Sequence, residues 1–371
     1  MEASFSANYE QCFGVCLPHQ DTIAEVLCQL EPDKLEQVKM NLMSQLFEQK
    51  WLREYRLLGK YYLVAVDATG VVSFDHRHCE HCLTKKSKNG KTVYFHYVLE
   101  AKLVTPDGHC LSLASEWVEN PEGEFDKQDC EQKAFVRLAG KLKKQYPRLP
   151  VCILGDGLYP NNSVFNICEN NGWKYLLVLQ DKSLKSVQEE LVLTKRRKPI
   201  KENYTVKNKL RISSQYRSQT NISYKKHHLH WFQCIETRKK DVNRGEKSNQ
   251  EPTISTFEYV TNIEPNAENI IALSAGGRLR WKVENEGFNT QKHGDYELEH
   301  KYCRKSYSGL KNYYSLLQIA HLINQLVEKS KLVKGMLKEH SKQTVKNIWG
   351  NLIAYMLMIM PKNYPLRPHP S

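Results

Sequence analysis

The sequence lacks any long hydrophobic run. Its most apolar stretch, Asn351 to Met360, is about ten residues against the roughly 20 that a membrane-crossing helix needs. This argues against a membrane protein, and the stretch reads instead as the buried end of a C-terminal helix. The start, MEASFSANYE, has neither the basic nor the apolar region of a secretory signal. The eleven cysteines follow no regular spacing, so reduced thiols in a cytoplasmic protein are expected rather than a disulfide framework. Internal repeats and low-complexity tracts are missing as well. What remains is 371 residues, 40% of them hydrophobic, enough for one large domain with an insertion or for two ordinary domains.

The net charge of +13 favours a polyanionic partner, and its placement says more than its size. Between Leu191 and Gln250 stand 16 Lys and Arg against 4 Asp and Glu, nearly the whole surplus within sixty residues. The runs Lys195-Arg196-Arg197-Lys198 and Arg238-Lys239-Lys240, with Lys225-Lys226, suit phosphate contact and strong salt dependence. Each run alone also fits a solvated strand edge that discourages pairing. Neither run reads bases. His227, His228 and His230 lie beside them; His228 and His230 share a strand face and suit contact with DNA better than metal binding.

Hydrophobic periodicity divides the chain. Residues 21 to 58 have helical spacing, interrupted at Glu31-Pro32. Tyr61 to Val66 is a strand-like run closed by Asp67-Ala68-Thr69-Gly70, with a second short strand at Val71 to Phe74. Thr92 to Val104 and Cys110 to Val118, joined by a turn at Asp107-Gly108, complete an antiparallel meander with the first strand. An amphipathic helix is expected from Asp126 to Tyr146, then a strand at Val151 to Leu154 and a helix at Asn162 to Asn171. A strand at Trp173 to Leu179 and a helix at Ser183 to Val192 follow, the latter with a capping box at Ser186 and Glu189. Strand and helix alternating in this way imply parallel strands. Lys195 to Asn262 reads as a strand-rich insertion with a mobile loop from Asp241 to Pro252. Helices resume at Asn266 to Phe288, Ser308 to Lys329 and Ser341 to Met360.

Carboxylates at the ends of buried strands are candidates for divalent metal, because the strand fixes the side chain while its end reaches solvent. Asp67 and Asp156 both qualify. Both also fit ordinary turns, Asp-x-x-Gly and Gly-Asp-Gly. Glu284 lies four residues after Arg280 on one helix face, a spacing that by itself describes a surface ion pair.

Taken together and in this order, these elements resemble the DDE transposases of bacterial insertion sequences. The resemblance is to the cut-and-paste group with a Tyr-x2-Arg-x3-Glu-x6-Lys signature, and it spans about Leu58 to Lys329. In that family the first Asp ends the first core strand, the second follows the fourth, and the Glu sits on a helix after a β-rich insertion. Asp67, Asp156 and Glu284 match these positions, 89 and 128 residues apart. Arg280 matches the signature Arg. Gly277 stands where the Tyr is expected, and Lys292 follows Glu284 after seven residues instead of six, through either a one-residue bulge in the helix or a variant signature. Glu286 is the first replacement if Glu284 is misassigned.

The resemblance implies an α/β ribonuclease H-like core, a mixed sheet flanked by helices, with a β-strand-rich insertion and helical N- and C-terminal extensions. The expected units are 1–58, helical and a truncated end-binding region if the chain begins at an internal Met; 59–193, the first part of the core; 194–263, the basic insertion; 264–330, the second part of the core; and 331–371, a helical tail. It implies a DNA transposase in which Asp67, Asp156 and Glu284 bind two Mg2+ ions, with Mn2+ able to substitute. Arg280 and Lys292 would hold phosphates. The partners would be double-stranded DNA, as terminal inverted repeats and target, and a second subunit in a synaptic homodimer, in a bacterial cytoplasm at the nucleoid. A structure-selective nuclease of the same fold and a catalytically inactive DNA-binding descendant are the rival readings.

One further motif stands apart. Cys79-x2-Cys82 with His78 and His81 offers zinc-ligand types, yet no second Cys-x2-Cys appears, and Cys110, Cys130 or Cys303 could contribute only singly. Loop cysteines are expected there, and a redox motif is discounted for want of a following helix.

Overall fold

The computed structural model describes residues 3–124, 126–207, 210–240, 251–302, 306–339 and 343–358. Residues 241–250 of the loop expected over Asp241 to Pro252, Cys303 and the last residues of the apolar stretch therefore lie outside the described residues. Three helices come first, α1 (Ala3–Phe13), α2 (Gln20–Gln29) and α3 (Pro32–Glu48), with Pro32 opening α3 where its missing N–H costs nothing.

The centre is a mixed sheet flanked by helices. Strands β1 (Tyr62–Phe74), β2 (Leu83–Lys86), β3 (Thr92–Val104) and β4 (Cys110–Val118) are antiparallel, with β3 between β1 on one edge and β2 and β4 on the other. Helix α4 (Glu131–Gln145) leads to β5 (Val151–Gly155), which runs parallel to β1. Helix α5 (Asn162–Asn171) then leads to β6 (Lys174–Val178), parallel to β5. The order β4-β3-β1-β5-β6 thus joins the expected meander to the expected parallel pair. Of three apolar clusters, one includes Val64, Val66, Phe135 and Leu138, a second Leu63, Ala65, Leu154, Val283 and Phe288, and a third Val72, Phe74, Trp117 and Tyr314. Alternate residues of β1 thus feed opposite clusters.

After α6 (Lys185–Thr194), the basic insertion extends this same sheet. Strands β7 (Lys201–Lys207), β8 (Leu210–Tyr224), β9 (His227–Lys240) and β10 (Thr253–Thr261) form antiparallel pairs, and β10 pairs with β6. Helices α7 (Ile270–Arg278), α8 (Thr290–His293), α9 (Tyr307–Glu328), α10 (Lys331–Glu339) and α11 (Val345–Leu357) complete the chain.

Several expectations change. The strand from Tyr61 does not stop at Asp67: β1 continues to Phe74, with a bulge between Gly70 and Val72 absorbing the turn-like sequence. Helix α4 starts at Glu131 rather than Asp126. The capping box does not form, since α6 is preceded by Leu184 in a left-handed conformation (φ 48°) without a side-chain cap. The single helix expected over 266–288 is α7, a 3-10 turn at Leu279–Trp281 and a π-helix at Val283–Asn289. The C-terminal helix is not buried: α11 has no buried residue, and Leu352 and Ile353 are exposed, because it packs mainly against α1, with Trp349 Nε1 also donating to Glu328 at the end of α9. No described helix is long and apolar enough to cross a membrane.

Candidate active site

Asp67 owes its access to the length of β5. The parallel register runs from Tyr62 opposite Val151 to Ala65 opposite Leu154, so Asp67 and Asp156 each lie two residues past the last pair. They occupy the same step of adjacent strands, which run about 4.8 Å apart. Asp67 is therefore inside β1 and at the end of its pairing with β5. Asp156 turns back to accept the Leu158 N–H at 2.9 Å.

The glycines beside Asp156 are needed for packing. A Cβ on Gly155 would lie 2.7 Å from the Tyr159 ring, and one on Gly157 would lie 2.1 Å from the Gln180 side chain. Close approach of neighbouring side chains, rather than of a ligand, explains them.

Glu284 is brought over β1 by the π-helix. Arg280 Nη1 donates to Glu284 Oε1 at 2.8 Å and stands 3.6 Å from Asp67 Oδ2, so one guanidinium bridges both acids. Asp67 is mostly covered (21% exposed), Glu284 less so (44%). Burial pushes the Asp67 carboxyl from 3.8 up to about 7; the Ala68 N–H at 2.9 Å and Arg280 oppose the rise, while Glu284 and Glu131 add to it.

Glu131 was not singled out in the sequence. It opens α4, accepts the Tyr159 hydroxyl at 2.7 Å, and is raised above the usual carboxylate range by burial and, further, by Asp156. The Tyr97 hydroxyl, pushed up to about 12 by burial, feels Glu131, Asp67 and Asp156 together. The site thus gathers four acids, two of which, Asp67 and Glu284, are bridged by one guanidinium. The only signal for Glu131 was an acid in the first turn of a helix, which is ordinary.

The segment between Glu284 and Lys292 includes most of the π-helix Val283–Asn289. Lys292 pairs with Glu299 at 2.7 Å. Glu286 is held by Lys282 at 2.6 Å, and it is Glu284 that meets the Arg280 bridge. A Cβ on Gly277 would lie 2.7 Å from the Tyr259 ring, so β10 fills the space where the signature Tyr would project.

Of the basic residues, Arg196, Arg197, Lys198, Lys225 and Lys226 are exposed. Lys195 instead pairs with Glu258 at 2.7 Å and lies over Trp231. His227 is buried between Glu169 and Asn162, which removes it from any DNA-facing surface, whereas His228 is exposed and His230 partly so. A groove of about 1040 Å³ runs from Asp156 past Arg238, Arg278 and Arg280 along β10, joining the carboxylates to the insertion.

Among the described residues, one group of three or more His, Cys, Asp or Glu has all its ligand atoms within 4.8 Å, and it is Cys79, Cys82 and His96. The four acids stand further apart, with Arg280 between two of them.

No protein-family model matches the chain, and no curated relative is detected. Among solved structures, the chain is similar to the cryo-EM structure of the piggyBac transposase synaptic complex with hairpin DNA. The TM-score is 0.37 and the identity 10%, over 82% of this chain and 59% of that one, so the chain spans less than two thirds of that protein's length.

Proposed function

We propose that this protein is a metal-dependent DNA transposase with a ribonuclease H-like core and Asp67, Asp156 and Glu284 as its catalytic carboxylates. The observation that carries the reading is the placement of Asp67 and Asp156 at matching positions, each two residues past the last register pair of β1 and β5, with Glu284 tied to Asp67 through Arg280. An antiparallel meander followed by parallel strands, with acids on the first and fourth strands of that core, is what the resemblance to insertion-sequence transposases implies.

The donors suit Mg2+ or Mn2+: they are hard oxygens, and the crowding of acids around buried Asp67 leaves negative charge that a dication would offset. Two such ions, when bound, would supply the charge that activates an attacking water or 3′-hydroxyl and steadies the leaving oxygen. Arg280 holds Glu284 toward Asp67 and offers its guanidinium to a phosphate, with Lys292 as a further phosphate contact. The exposed cations of the insertion bind the DNA backbone and the arginine-lined groove leads it to the acids. Terminal inverted repeats and target DNA as substrates, a synaptic homodimer and a bacterial insertion-sequence origin belong to the same proposal.

The test is incubation with DNA carrying the flanking inverted repeats and Mg2+ or Mn2+, beside the Asp156→Asn variant. Wild type is expected to cut the ends and join them to target, and the variant to do neither. Cutting without joining would replace the transposase by a structure-selective nuclease; an equally active variant would remove the site.

A further inference from the structure

We propose that Cys79, Cys82 and His96 bind a zinc ion that clamps the loop after β1 to β3 and to the start of α9. The Sγ atoms of Cys79 and Cys82 are 3.7 Å apart, and His96 Nε2 lies 3.4 Å from the first and 3.6 Å from the second. In a tetrahedral site with Zn–S near 2.3 Å and Zn–N near 2.05 Å, these separations are about 3.8 Å for S to S and about 3.6 Å for S to N. The three atoms thus stand at the corners that a zinc ion requires. A disulfide needs about 2.05 Å, and both cysteines are free.

The surroundings hold the ligands in place. His81 is occupied elsewhere, its Nδ1 lying 3.0 Å from the Asn120 carbonyl, while Asn120 Nδ2 donates to the Cys82 carbonyl at 2.8 Å. The Cys-x2-Cys turn is therefore anchored at its Cys82 end. The His96 ring is fixed by stacking on Tyr307, with centroids 4.5 Å apart, and by the edge of Phe74. Its Nε2 is the nitrogen that faces both sulfurs, while its Nδ1 is buried without a hydrogen-bond partner among the described residues.

The fourth position opens on a cavity of about 70 Å³ beside Cys79 and His96, lined also by His78, Lys301, Tyr302 and Ser306, with room for a fourth donor. The site is structural rather than catalytic. His96 pairs with Val72, five residues along β1 from Asp67, which is about 17 Å of strand. What it joins is a loop with little apolar burial to the strand and helix that frame the carboxylates.

Zinc content of the full chain, purified without added metal, tests this independently of the DNA chemistry. About one zinc per chain is expected in wild type and in Asp156→Asn, and a loss of most of it in Cys82→Ser and His96→Gln. Because these variants could fail by unfolding, Cys82→His supplies a second arm: it keeps a zinc ligand and is expected to retain the metal. Replacement by Co2+ is expected to give the absorption of a tetrahedral thiolate site. Wild type that holds no zinc even after refolding in Zn2+, or equal zinc in wild type, Cys82→Ser and His96→Gln, would overturn the proposal.

Discussion

Replacing Asp67 by Asn is expected to stabilise the protein while removing its chemistry. Burial holds the Asp67 carboxyl near pH 7 instead of 3.8, a rise worth about 4 kcal/mol if fully expressed. Between those two values the native protein binds more protons than the unfolded chain, so stability falls as pH rises through that window and levels off above it. Asparagine is neutral throughout and its oxygen can still accept from Ala68, but it gives up the charge contact with Arg280, worth about 1 kcal/mol at this spacing. In a chelator the variant should therefore exceed wild type by about 2–3 kcal/mol at pH 8, with the gain shrinking below pH 7 and gone by about pH 4. On the proposed function, adding Mg2+ should narrow the gap, since a carboxylate is a better ligand for the cation than an amide. Denaturant melts of both proteins at several pH values measure this. A variant less stable than wild type at pH 8, or a gain that does not change with pH, would refute the argument that Asp67 is a destabilised buried acid.

Gly155→Ala should destabilise by about 1–3 kcal/mol, because the new methyl meets the Tyr159 ring and Leu177 rather than a flexible chain end; a thermal melt beside a DNA-cleavage assay reads both effects. Alanine at Arg196, Arg197 and Lys198 together should weaken binding uniformly across DNA sequences and flatten the salt dependence by about two to three units of slope, measured by titration at several ionic strengths. Lys102→Met should cost about 1–3 kcal/mol in a denaturant melt, since it removes the 2.7 Å donation to Gln318 and the cation beside buried Glu100, while Ser112, Ser115 and Tyr314 still donate to Glu100 and Gln291 to Gln318.

The strands that form the sheet were legible because they are apolar runs of strand length, and Asp156 because its run ends at a turn. Asp67 was legible as a candidate for a partly wrong reason. Its turn-like Ala68-Thr69-Gly70 is ordinary paired strand followed by a bulge, and the end that matters belongs to β5, a pairing that periodicity does not encode. Glu131 and His96 are beyond sequence reading, one being an ordinary first-turn acid and the other a strand residue carried to Cys79 and Cys82 by the pairing of β2 with β3. Buried Glu100 and Lys102 were hidden inside an apolar strand pattern. The C-terminal stretch misled in the opposite direction, for an apolar helix need not be covered within its own chain.

The π-helix that presents Glu284 follows from spacing that can be read once its cause is known. Val283 and Phe288 both enter the apolar cluster with Leu63 and Ala65, yet they are five residues apart. At about 100° per residue an α-helix would separate them by about 140°, too far to face one core. Closing the turn with bonds five residues apart brings them to one side. Both ends are pinned: Val283 is buried under β1, and Gln291 Nε2 donates to Gln318 and lies 2.8 Å from His321 Nδ1. The helix cannot unwind the extra residue at either end, so it carries it in the middle, next to Glu284. Deleting exposed Asn285 makes the apolar spacing four and leaves six residues between Glu284 and the lysine. The shortened protein is expected to fold with stability within about 1 kcal/mol of wild type and with an ordinary α-helical turn there. A loss of more than about 3 kcal/mol in a denaturant melt would mean that the wide turn is required by the core itself.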